Sequence, residues 1–134
     1  MKVFVDSNIP MYVAGRDHPL REPARRLLER VQRGELEGCT STEVLQEILY
    51  RYAGLQRLDL AARVYDLFVS VCPVVLPVTL ADTDRAKTIL TQTRGLSARD
   101  AIHAAVMLNH DIGTIATFDA GFDRVPGLER LAMA

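Results

Sequence analysis

Short apolar runs alternate along this chain with longer segments in which apolar residues recur every three or four positions. The first run, Lys2 to Asp6 (KVFVD), carries three apolar residues in succession, Val3 to Val5, and ends in an acid, which predicts a central buried strand. SNIPMYVAG reads as a short helix stopped by Gly15. His18 to Arg33 predicts a second helix. Leu20, Ala24, Leu27, Leu28 and Val31 share one of its faces, arginines occupy the rest, and Gly34 ends it. Glu37 to Cys39 reads as a short strand. Thr40-Ser41-Thr42-Glu43 opens a third helix whose apolar face is Val44, Leu45, Ile48, Leu49 and Tyr52. Leu58 to Val69 predicts a fourth, apolar on most sides. Val71 to Val78 reads as a strand that Pro73 and Pro77 confine to an edge or a short core. Thr79 to Arg94, stopped by Gly95, and Ser97 to Leu108 predict two more helices. Thr114 to Thr117 follows as a strand with Asp119 just behind it. Gly121 to Pro126 is a loop or one helical turn, and Leu128 to Ala132 a last strand. This alternation predicts an α/β fold with a mostly parallel sheet, in a single domain over residues 1–134.

Composition narrows the picture. With 49% hydrophobic and 25% charged residues, the chain can bury a core without staples. Cys39 and Cys72 border apolar segments and show no metal-binding or disulfide spacing, so both are expected as buried small hydrophobes. No leader-like start and no long apolar run is visible, which predicts a soluble, cytoplasmic protein without a membrane span. The net charge of −1 excludes a broadly basic nucleic-acid-binding surface. Any such binding must rest on a local arginine patch, Arg21 to Arg33 or Arg99.

The chemistry concentrates in four acids. Asp6 closes the first strand and Asp119 follows the fourth, and ligands of open parallel sheets sit outside the carboxyl ends of strands. Glu43 and Asp100 fall in the first turns of helices. Each has an ordinary alternative. Thr40-x-x-Glu43 and Ser97-x-x-Asp100 are capping-box spacings, and strand-end aspartates close turns. Converging at one sheet edge, however, four carboxylates repel one another unless a divalent cation neutralises them. All-oxygen donors select Mg²⁺ or Mn²⁺. Glu47 and Arg51, one turn apart, predict a surface ion pair. His103 borders the acids or is a helix histidine with no special role, and Tyr50, Tyr52 and Tyr65 read as packing residues. No serine or cysteine has a base beside it. Asn8 stands where a phosphotransferase using Asp6 as a covalent nucleophile usually carries a second acid, which argues against that chemistry.

The stretches VFVDSNIPMYVA, STEVLQEILYR, LSARDAIHAAVMLN and TIATFDAGFDRVPGLERL, in this order, resemble the PIN-domain nucleases, and within them the VapC-type toxins of prokaryotic toxin–antitoxin pairs. The resemblance implies a PIN-like three-layer fold with about five strands flanked by helices. It also implies a metal-dependent endoribonuclease in which metal-activated water hydrolyses RNA, commonly a homodimer, and a cognate antitoxin whose C-terminal segment covers the active site. Asp6, Glu43, Asp100 and Asp119 match the family's catalytic acids, with Asp6, Asp100 and Asp119 as metal ligands. Asp123 is implied as an additional acid, and Ser7, Asn8 and Thr117 as pocket residues. The remaining alternative is a non-catalytic module that binds RNA or an antitoxin, with the acids serving only as caps.

Overall fold

The computed structural model describes residues 1–133. Its five strands are β1 (Lys2–Val5), β2 (Glu37–Ser41), β3 (Val75–Leu76), β4 (Thr114–Ala116) and β5 (Glu129–Arg130). They form one parallel sheet in the order β3-β2-β1-β4-β5. The helices are α1 (Asn8–Ala14), α2 (Arg21–Gln32), α3 (Thr42–Gly54), α4 (Leu58–Val71), α5 (Leu80–Gln92) and α6 (Ala98–Asn109), with a 3₁₀ turn at Ala120–Arg124. The expected parallel α/β sheet flanked by helices is therefore present.

Val3, Phe4 and Val5 are wholly buried, as a central strand covered on both faces requires. The strands, α1 to α4 and part of α6 share the main core around Phe4, Ile48 and Phe68. α5 packs on α6 in a smaller cluster around Ala101, Ala104 and Ile89. Gly34 and Gly95, behind α2 and α5, have φ of 77° and 79°, the left-handed conformation that glycine adopts without strain. Cys39 and Cys72 are free and buried, and burial pushes their thiols up to about 11 and about 12.

Several boundaries differ from the sequence reading. β2 extends through Thr40 and Ser41, so Ser41, not Thr40, caps α3 by accepting from the Val44 N–H. Thr40 is occupied elsewhere: its hydroxyl donates to the Val5 carbonyl at 3.0 Å across the sheet. The predicted strand Val71–Val78 shrinks to two residues. α4 runs on through Val71, and Pro73 and Pro77 bracket what remains at the sheet edge. The complete capping box is at Thr79 and Asp82.

Strand order sets up the site. From β1 the chain moves to β2 and β3 on one side and returns through β4 to the other. The carboxyl ends of β1 and β4 thus flank a topological switch point, the place where open parallel sheets leave a crevice.

Candidate active site

Asp6 and Thr117 leave β1 and β4 side by side at that crevice. The Asp6 N–H donates to the Ala116 carbonyl, prolonging the strand pairing by one residue. Its carboxylate is then held from both sides. Oδ1 accepts from the Ser7 N–H at 2.7 Å, and Oδ2 accepts from the Thr117 hydroxyl at 2.8 Å. Thr117 Oγ1 accepts in turn from Asn8 Nδ2 and from the Asp119 N–H, each at 3.1 Å. Ser7, Asn8 and Thr117, which the resemblance implied as pocket residues, form a hydrogen-bonded frame around Asp6. Asp119 caps the 3₁₀ turn by accepting from the Gly121 N–H at 2.8 Å.

Asp100 enters from the first turn of α6. Ser97 Oγ accepts from its N–H at 3.1 Å, so half of that capping box forms. The Asp100 carboxyl is instead influenced by its acidic neighbours Asp6 and Asp119. Burial, the charge of Asp6 and the neighbouring Asp119 raise the Asp100 carboxyl to about 7, against the attraction of His103. Burial also raises Asp6, opposed by His103 and by the Thr117 hydrogen bond.

Two further residues enter the cluster, Glu47 against expectation and His103 in line with the first of its two readings. Glu47 makes no ion pair with Arg51. Its Oε2 accepts from the Ser7 hydroxyl at 3.1 Å, and its Oε1 is hydrogen-bonded to His103 Nε2. His103 is wholly buried, and its Nε2 lies 3.7 Å from Asp6 Oδ1. Burial alone would lower the imidazole, but the Glu47 hydrogen bond and the charges of Asp6 and Asp100 raise it. Glu43 sits one turn before Glu47, half-buried. Burial raises its carboxyl, while His103 and Arg99 pull it down. The α3 acid placed against Asp6 is thus Glu47 rather than Glu43.

Asp123 lies outside the group. It forms a two-pronged ion pair with Arg130 at 2.8 and 2.9 Å, which holds its carboxyl below the usual range. The arginine patch on α2 is partly neutralised as well. Arg25 is paired with Glu22 and Glu29, and Arg30 and Arg33 with Glu35.

The cluster fits a divalent cation. Asp6, Glu47 and His103 each offer a ligand atom, all within 4.8 Å of one another, and Asp100 senses the charges of Asp6, His103 and Asp119. Carboxylate oxygens suit a hard cation. His103 Nε2 is already committed to Glu47, so the imidazole serves best as the group that orients Glu47, as outer partners of metal ligands do. Glu47→Gln is accordingly expected to lower metal-dependent cleavage by about a hundredfold, and Glu43→Gln by less than about threefold. Initial rates of the two variants on one RNA check this. A larger loss in Glu43→Gln would return the role to Glu43.

Comparison with known proteins places this geometry. The PIN domain profile matches residues 3–128. The chain is similar to ribonuclease VapC13 of Mycobacterium tuberculosis, 45% identical over 130 residues, covering 97% of this chain and 99% of that protein. Its fold is similar to VapBC2 from Rickettsia felis, solved bound to a DNA fragment from the promoter, with a TM-score of 0.78 and 19% identity over 98% of each chain. It is also similar to Mycobacterium tuberculosis VapC20, a sarcin-ricin loop cleaving toxin, with a TM-score of 0.73 and 23% identity, covering 88% of this chain and 90% of that one. Together with the acid cluster at the switch point, the match along nearly the whole chain shows that this protein belongs to the PIN-domain family, among the VapC ribonucleases.

Proposed function

We propose that this chain is the toxin of a toxin–antitoxin pair: a cytoplasmic endoribonuclease, active as one homodimeric nuclease domain and restrained by a cognate antitoxin. The observation that supports the reading is the buried Asp6 at the switch point, bonded to Ser7 and Thr117 and grouped with Glu47 and His103, in a chain 45% identical to a ribonuclease along its length. Among the described residues no helix is long and apolar enough to cross a membrane.

Asp6 and Asp100 would hold Mg²⁺ or Mn²⁺, with Asp119 and Glu47 completing the donor set. A bound cation supplies charge neutralisation at the scissile phosphate and makes water acidic enough to attack near neutral pH. The protein's own work is positional. Ser7 and Thr117 fix both oxygens of Asp6 before substrate arrives, and His103 and Ser7 fix Glu47. Asp119 is the exposed member of the group and accepts the proton of the attacking water. In-line attack of water on phosphorus would break the bond to the 3′ oxygen, which takes up a proton from solvent as it leaves, giving a 5′-phosphate and a 3′-hydroxyl.

The test uses the purified chain free of antitoxin. Millimolar Mg²⁺ or Mn²⁺ is expected to support cleavage of RNA to 5′-phosphate ends. EDTA should abolish it, and re-addition of the cation restore it. Cleavage that survives EDTA, or ends in a cyclic phosphate, would rule out this chemistry.

A further inference from the structure

A groove of about 400 Å³ leads away from the acid cluster between α1, α3 and the start of α6. That volume is within the range of small-ligand sites. Its lining includes Ser7 and Glu47, already members of the cluster, together with Tyr50, Arg51 and Arg99. Glu47, Tyr50 and Arg51 stand at i, i+3 and i+4 on α3, so one helix face joins the acids to the groove.

The sequence reading treated Tyr50 as a packing residue, but its side is open: the residue is 64% exposed, whereas Tyr52 is buried. A single exposed tyrosine is ordinary. This one carries the Arg99 guanidinium over its ring, 5.3 Å from the centroid. Among the described residues, neither Arg51 nor Arg99 is held in an ion pair like those that bind Arg25, Arg30 and Arg33. The chain thus places an aromatic ring and two guanidiniums outside any ion pair, one of them resting on that ring, in the groove that Glu47 lines.

We infer that this groove is the subsite for an unpaired nucleotide of the RNA flanking the scissile phosphate. It rests on the ribonuclease reading above. Tyr50 stacks the base, and Arg99 and Arg51 hold the adjacent phosphate. Charge selects this occupant. The acids repel a phosphate everywhere except at a bound cation, so the flanking phosphate needs its own cationic partner, and guanidiniums pair with phosphate in a bidentate fork. Stacking selects an unpaired base, because a duplex hides the base faces that an aromatic ring binds.

Binding and cleavage test the inference separately. The probe is a fluorescein-labelled single-stranded oligoribonucleotide of about 10 nucleotides containing all four bases, with the same sequence as a duplex for comparison. Anisotropy is read in the Asp100→Asn background, so that the probe survives, and thermal melts verify folding. Tyr50→Ala is expected to weaken single-strand binding roughly tenfold, and Tyr50→Phe to restore it. Arg99→Ala is expected to reduce the salt dependence by about 0.7 in the slope of log affinity against log salt, one phosphate contact. Duplex binding should not change with Tyr50. Unaltered single-strand binding in Tyr50→Ala overturns the inference, whatever that variant does to capture of an antitoxin. So does equal weakening by Ala and Phe. If the wild-type chain cuts no RNA yet binding still depends on Tyr50, the ribonuclease reading fails and the nucleotide subsite stands.

Discussion

Asp6→Asn is expected to slow RNA cleavage by roughly a thousandfold, matching the several kcal/mol that a divalent cation contributes to a transition state. Asparagine keeps the shape and one acceptor oxygen but removes the charge. The side chain is buried and bonded to Ser7 and Thr117, so its position should be retained. Loss of activity with an unchanged circular dichroism spectrum and an unchanged or higher melting temperature is the expected pattern. A variant that still cleaves at the wild-type rate would remove Asp6 from the chemistry. A variant that unfolds would show that the carboxylate is structural, because a neutral amide would then have failed only as a hydrogen-bonding partner.

The second large effect concerns stability without metal. Asp100 rises from 3.8 to about 7 on folding. The folded chain therefore holds that proton more tightly, and the associated stability is full below about pH 4 and lost as pH climbs through about 7. Asp6 and Glu43 are raised too, and His103 is raised above 6.5, so its contribution is full below 6.5 and lost above its folded value. All four act in the same direction. The cation-free protein is expected to melt on the order of 5 °C lower at about pH 8 than at about pH 5.5. If the cluster holds the cation as proposed, millimolar Mg²⁺ or Mn²⁺ should reverse the loss, more strongly at the higher pH, because ligand carboxylates must be deprotonated to bind it. Asp100→Asn should flatten the pH profile and weaken the response to cation. Calorimetric scans at the two pH values, with and without cation, decide this. A melting temperature that rises with pH in EDTA would contradict the crowded-carboxylate description.

Glu43 and Glu47 show where sequence reading stopped. Both are acids on α3, one turn apart, and the spacing alone lets either face the sheet edge. The choice depends on where the helix begins. The pattern started it at Thr40, whereas Thr40 stays in β2 to bond Val5 and Ser41 becomes the cap. Opposite charges at i and i+4 also offered Glu47 a partner in Arg51, and nothing local announced that His103, from a helix 56 residues later, would claim it instead. Asp123 erred in the other direction. It lies four residues past Asp119, but the 3₁₀ turn carries it to Arg130 on β5.

By itself, the sequence determined the elements and the strand-end placement of Asp6 and Asp119. A short, β-branched-rich apolar run ending in an acid fits a buried strand that delivers the acid to its carboxyl end. It determined that Asp100 starts a helix, because Ser97 is a good cap, and it carried the family resemblance. Only the tertiary structure decided which acids meet. Glu47, His103 and the Thr117 frame around Asp6 depend on how far α3 and α6 are rotated against the sheet. That rotation is set by side-chain packing between distant segments, not by periodicity within one of them.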